Sequence, residues 1–379
     1  MSLCFVSMNI NNQSLKLIKV VIGLTMLGLI SMSVSANEEG GSQAHIVSAM
    51  SGNSWLAIPN SRLESVAADP ELYPNLQGYS GIYGINAYSG AVFDSKRNRL
   101  VIWGGGHGDY QGNEVYAFDT DTLTWERLTD PSDPNLDKQV NSDGTPNSRH
   151  TYNGIAYIEH VDKLFASGGS LAGPGSCGAD KTWTFDFNSK QWTDMRPSKT
   201  PRTNCENISV YDPETQKVWW FDAPGLWSYH YDTNTWRQHD EDYISSRTAV
   251  IDTKRGLLVL VGQGEVIAYN IRRGNYTKKL WNTKGGDDFI GSWAPGLAYD
   301  PVSDRIVGWS GKSVYALNPD TKEWTEYSAP GAPVYLSEGS GNDEGLYGLW
   351  RYVPNLNAFV VMTSTNENIH FYKLATETD

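Results

Sequence analysis

The chain has 379 residues, 43 of them acidic against 30 basic, and a formal net charge of −13. So acidic a surface repels phosphate backbones and anionic headgroups, which argues against nucleic acid and against membrane adhesion.

The first stretch carries Lys16 and Lys19, an apolar run from Val20 to Leu29, and small residues ending in Ser33, Val34, Ser35 and Ala36. A basic region, an apolar run too short to span a bilayer and a small-residue site make a cleavable secretory leader, residues 1–36. The mature chain, 37–379, is read as one domain, and losing two lysines and no acids takes its charge from −13 to −15. No later segment is apolar enough to cross a membrane. Cys4 leaves with the leader, while Cys177 and Cys205 remain as a pair. In an oxidising compartment such a pair reads as a disulfide rather than a metal site. The expectation is a secreted or periplasmic monomer without a cofactor.

Along the mature chain, strand-like segments end in tryptophan: Trp55 in NSWLAIP, then Trp125, Trp192, Trp236, Trp281 and Trp324. From Trp192 onward the spacings are 44, 45 and 43 residues, a period that builds propeller blades or solenoid coils. Each unit reads as four short strands. The first strands are GAVFD, GIAYI, ISVYD, TAVID, GLAYD and GLWRY, several closing on Asp; polar turns such as SKRN and PETQ lead to the second strands. Short β-branched and aromatic runs bounded by Gly, Pro, Asp and Asn are strands, and no helical periodicity competes. The sixth unit ends without its tryptophan strand, and NSWLAIP supplies it. The predicted fold is therefore all-β, a six-bladed propeller of four-stranded antiparallel blades closed by the N-terminal strand, which leaves no open sheet edge. Residues 61–86 and 131–148 break the period as long loops, of a length more often functional or mobile than neutral.

In such a meander the turn between strands two and three shares a face with the lead-in to the next first strand. The richest segments fall there: GGGHGDYQGN (Gly104 to Asn113), GGSLAGPGSCGAD, and the lead-ins INAYSG, SRHTYNG and PRTNCEN. Aligning the repeats places Asn86, His150 and Asn204 at one position of three successive blades, with Arg149 adjoining and His107 between the first two. The candidate catalytic set is His107, His150, Tyr152, Arg149 and Asn86. Tyr88, Asp109, Tyr110, Arg202, Asn204 and Arg247 are candidates for substrate binding, and Cys177 with Cys205 would pin the rim. Histidine titrates near working pH and serves as base or acid, while arginine and asparagine hold a carboxylate by directed hydrogen bonds. No spaced His/Cys quartet reads as a metal site, and Asp130, Asp133 and Asp137 lack a calcium-loop pattern.

The repeats resemble kelch-type, galactose-oxidase-like propellers over the whole mature chain. More narrowly, AYSGAVFDSKRNRLVIWGGGHGDYQGNEVYAFD resembles the first blade of secreted bacterial ulvan lyases, which cleave an acidic algal polysaccharide by β-elimination. The resemblance implies an acidic polysaccharide as partner, His107 as a proton-transfer histidine and Tyr152 as the family tyrosine. The chain departs from the family at Asn86, where a second histidine is expected, and at Gly168 and Gly169, where an arginine is expected. It also has six blades where those lyases are described with seven. Competing expectations are a non-catalytic glycan- or protein-binding propeller and a periplasmic sugar epimerase or mutarotase.

Overall fold

The computed structural model describes residues 42–375 apart from 77, 79–80, 137, 174–175, 223–224, 273, 275 and 336–344. The expected leader and Asp137 lie outside the described residues. The fold is an all-β, six-bladed propeller. Each blade is a four-stranded antiparallel sheet, and the strands follow chain order in every blade except the closing one. Blade one runs through Ala91–Asp94, Arg99–Ile102, Tyr116–Asp119 and Thr124–Arg127. Blades two to five begin at Ile155–Ile158, Ile208–Asp212, Thr248–Asp252 and Gly296–Asp300.

Blade six takes Trp350–Val353, Ala358–Val361 and His370–Lys373 from the C-terminal end and Ser54–Ala57 from the N-terminal end. The expected closure is therefore observed, with Trp55 opposite Tyr372 in the register. Trp55 lies 5.4 Å from Trp309, 5.8 Å from Trp350 and 5.0 Å from Tyr372, ring centre to ring centre. One tryptophan thus joins blade six to blade five through the tilted aromatic contacts such rings favour. The core consists of these inter-blade faces, with Trp103, Trp183, Trp219, Trp220, Trp309 and Trp350 all fully buried.

The hairpin turns between strands one and two tie neighbouring blades together. Arg97 pairs with Asp94 of its own blade at 2.9 Å and with Asp162 of blade two at 2.7 Å. Arg255 repeats this between blades four and five, at 3.0 Å from Asp252 and 2.7 Å from Asp304. Directed, partly buried guanidinium pairs of this kind fix neighbouring blades at one end of the axis.

At the other end the chain passes through a ring of left-handed residues. Tyr88, Tyr152, Cys205, Ser246, Ala294 and Tyr347 all have positive φ, and each precedes the first strand of its blade. Counted back from the end of that strand, the offset is six residues in five blades and seven in blade three, from Asp212 to Cys205. Main-chain bonds link ring members: Tyr152 N donates to Tyr88 O at 2.6 Å, Ala294 N to Ser246 O at 2.9 Å, and Tyr347 N to Ala294 O at 3.0 Å. A non-glycine residue held at positive φ is costly, and here the cost recurs as part of the architecture that rims the channel mouth.

Candidate functional site

Blade two carries a small extra ribbon on the mouth side. Arg149–His150 pairs with Ser170–Leu171, which pairs with Ser176–Cys177. The glycine-rich turn of blade one docks on it, since His107 N donates to Leu171 O at 3.0 Å and Gly173 N to His107 O at 2.9 Å. A side chain on Gly106, at φ 85°, would begin 2.2 Å from the Arg149 backbone. Only glycine permits that approach, which is why the turn reads Gly-Gly-Gly-His.

The docking sets His107 and His150 with ring centres 5.6 Å apart. His150 is 3% exposed. Its Nε2 lies 2.7 Å from Oδ2 of Asp109. A carboxylate only accepts, so Nε2 carries the proton and Nδ1 is the basic atom. Burial outweighs Asp109 and holds the His150 pKa below the ordinary histidine value, with His107 acting in the same direction. Tyr88 lies 5.0 Å from His150, and Tyr152 stands edge-on to it at 6.0 Å. Burial, followed by Glu206, pushes the Tyr152 phenol well above the usual value, so Tyr152 keeps its proton. His107 itself is exposed at the surface.

The other sequence candidates divide. Asn86 donates from Nδ2 to Thr363 O at 3.4 Å, while its buried Oδ1 has no partner among the described residues. Arg202 is exposed three residues before Cys205. The main chain of Asn204 donates to Asp222 at 2.7 Å. Arg247 is held by Glu265 at 2.7 Å and by Ser245 O at 3.0 Å.

Two residues leave the expected set. Arg149 is 1% exposed, donates to the carbonyls of Asn147 and Gly168, and lies 5.4 Å over the Trp103 ring. Consecutive strand residues face opposite ways, so turning His150 toward Asp109, Tyr88 and His107 turns Arg149 the other way, over Trp103. Tyr110 is 3% exposed in the core, its hydroxyl 2.5 Å from Glu114. The turn folds back through the Gly106 to Tyr110 bridge and carries that ring inward.

Sequence reasoning missed Tyr347, Trp293 and Glu206. Tyr347 is fully buried edge-on to Tyr152 at 5.6 Å, and its hydroxyl accepts from Trp293 Nε1 at 3.2 Å. Glu206 accepts from Ser246 Oγ at 2.7 Å. The signal for Tyr347 was its offset before the sixth first strand, the same as for Tyr88 and Tyr152.

Cys177 and Cys205 form the expected disulfide, tying the blade-two ribbon to the left-handed residue of blade three. The bond fits an oxidising compartment. Among the described residues no helix is long and apolar enough to cross a membrane, and no three potential metal ligands converge.

No family model matches the chain, and no curated protein matches it. Among solved structures it is similar to an auxiliary nutrient binding protein from Bacteroides thetaiotaomicron, at TM-score 0.49 and 12% identity, over 76% of this chain and 69% of that one. A nidogen/laminin complex chain aligns at TM-score 0.44 and 14% identity, over 66% of this chain and 86% of that one.

Proposed function

We propose that the channel mouth is the active site of a secreted or periplasmic polysaccharide lyase that cleaves a uronate-containing, ulvan-like glycan by β-elimination. The observation that carries the reading is the Asp109–His150 pair, with Tyr152 beside it at 6.0 Å between ring centres. A histidine kept neutral by burial and oriented by a carboxylate is a poised base, and a tyrosine that holds its proton is a donor.

His150 Nδ1 takes the hydrogen from C5 of the uronate. The electron pair forms the C4–C5 double bond as the C4–O bond breaks, and Tyr152 protonates the departing glycosidic oxygen. Negative charge develops on the uronate carboxylate, and neutralising it is the largest electrostatic contribution such a site makes. With Arg149 turned inward, exposed Arg202 and His107, helped by Asn86, take that role. The kelch-type resemblance of the repeats supports the reading at the level of fold alone.

Incubation with uronate-containing polysaccharides, followed by the ultraviolet absorbance of an unsaturated uronate, tests it. Product that is lost in His150→Ala supports the lyase. Retention on an acidic-glycan column without product from any such glycan replaces it with a binding propeller.

A further inference from the structure

At the end of the axis away from the histidines, the channel opens as a cavity of about 240 Å³. Apolar Val92, Phe93, Ile155, Ala156 and Val210 wall it, and Arg351 of blade six reaches into it. Counted two back from the end of each first strand, Arg351 occupies the position that the other blades give to Val92, Ala156, Val210, Val250 and Ala298. A charged residue at an otherwise small apolar position is retained only with compensation.

The compensation found is incomplete. Arg351 Nε and Nη2 donate to Ala91 O at 2.9 and 2.6 Å, and Nη2 also reaches Asn153 Oδ1 at 3.4 Å. A guanidinium has five hydrogens, and these bonds account for three. Nη1 has no acceptor among the described residues, and no carboxylate lies within ion-pair distance. Glu159 lines the rim, with its Oε1 taken by Ser95 Oγ at 3.2 Å. The amide Nδ2 of Asn153, a residue 1% exposed, is buried without a partner among the described residues. Burial with no facing anion lowers the Arg351 pKa to about 10.

We propose that this cavity is an anion site in which Arg351 Nη1 binds a small carboxylate or oxyanion, completing the seam between blades six, one and two. An apolar funnel strengthens the attraction between the guanidinium and an anion inside it. The anion binds the folded ring and not the open chain, so it stabilises closure by mass action.

Titration calorimetry of the full chain with phosphate, acetate and chloride, each at constant ionic strength, tests the proposal. Saturable one-site binding is expected for at least one of them, with an unfolding midpoint that rises with its concentration. Losing a charge-assisted bond weakens affinity by about tenfold or more, so Arg351→Met should show that loss. Arg351→Lys keeps the charge but withdraws the forked donors, and it should weaken binding too if the methionine variant does not fold. No saturable binding of any of the three to the wild type, or undiminished binding in the variants, overturns the proposal.

Discussion

His150 Nε2 sits 2.7 Å from Asp109 Oδ2, joining the lead-in of blade two to the glycine-rich turn of blade one. The bond fixes which imidazole nitrogen is basic. Asp109→Asn keeps the shape and offers an amide that can donate to the ring, which favours the wrong tautomer. Turnover on an acidic glycan is expected to fall by about 10²–10⁴-fold, by analogy with triad carboxylates, while the thermal midpoint moves little. Steady-state rates beside a thermal melt check both halves.

The lowered His150 pKa, caused first by burial, has a definite sign in a pH titration. His239 shifts the same way, to about 4, through burial and then Arg237 and Lys217. Below the ordinary histidine value the unfolded chain binds protons that the native ring refuses. Stability is therefore complete above about pH 6.5 and declines as pH falls toward the native values. Urea midpoints measured from pH 7 to pH 4 should decrease, and less steeply in His239→Gln. The acid limb of kcat/KM should likewise lie below the ordinary histidine range.

Arg149 and His107 separate structure from chemistry. The Arg149 guanidinium is spent on Asn147 O and Gly168 O, so Arg149→Ala leaves buried carbonyls unpaired and opens space beside Trp103. A loss of about 3 kcal/mol or more is expected. His107 is exposed, so His107→Ala should lower turnover with a midpoint almost unmoved. Denaturant melts of the two variants, read beside their activities, distinguish these outcomes.

Much of the ring was legible because it rests on local signals. Period, turn composition and a C-terminal blade lacking its fourth strand together placed Trp55 beside Tyr372. The mouth was less legible, because side-chain direction there depends on single-residue registers. Arg149 and His150 are adjacent on one short strand and face apart, and nothing in their identities says which faces the channel. Blade three holds one more residue between Cys205 and Asp212 than the other blades hold over the same interval. Counting from Asp212 therefore put Asn204 level with His150, whereas counting from the left-handed ring puts Thr203 there. Tyr110 was misplaced because a bridge between Gly106 and Tyr110 turns the loop back into the core, a non-local effect of the docked ribbon.

The disulfide closes a 28-residue separation between the ribbon and the left-handed Cys205, which packs, as Tyr88 does, against the buried cluster of Tyr152, Ala294 and Tyr347. Removing it with Cys177→Ser and Cys205→Ser releases loop entropy in the unfolded chain, costing about 3–4 kcal/mol on the loop-length relation. The same change frees the blade-three lead-in that carries Arg202. Activity measured well below the melting temperature should therefore fall together with the midpoint. Unchanged turnover in a destabilised variant would leave the bond a purely structural staple.

Ring closure makes the last and most direct prediction. Trp55 is the N-terminal strand's main aromatic contact with Trp309, Trp350 and Tyr372. Trp55→Ala should cost about 3 kcal/mol, the low end for tryptophan truncation because the side chain is only partly buried. The loss falls on a strand held to blade six by one ladder, so local opening there should precede global unfolding. Amide exchange at residues 54–57 and 370–373 should quicken in the variant before exchange in blades two to four, and uniform quickening over all six blades would show that closure is not the weak seam.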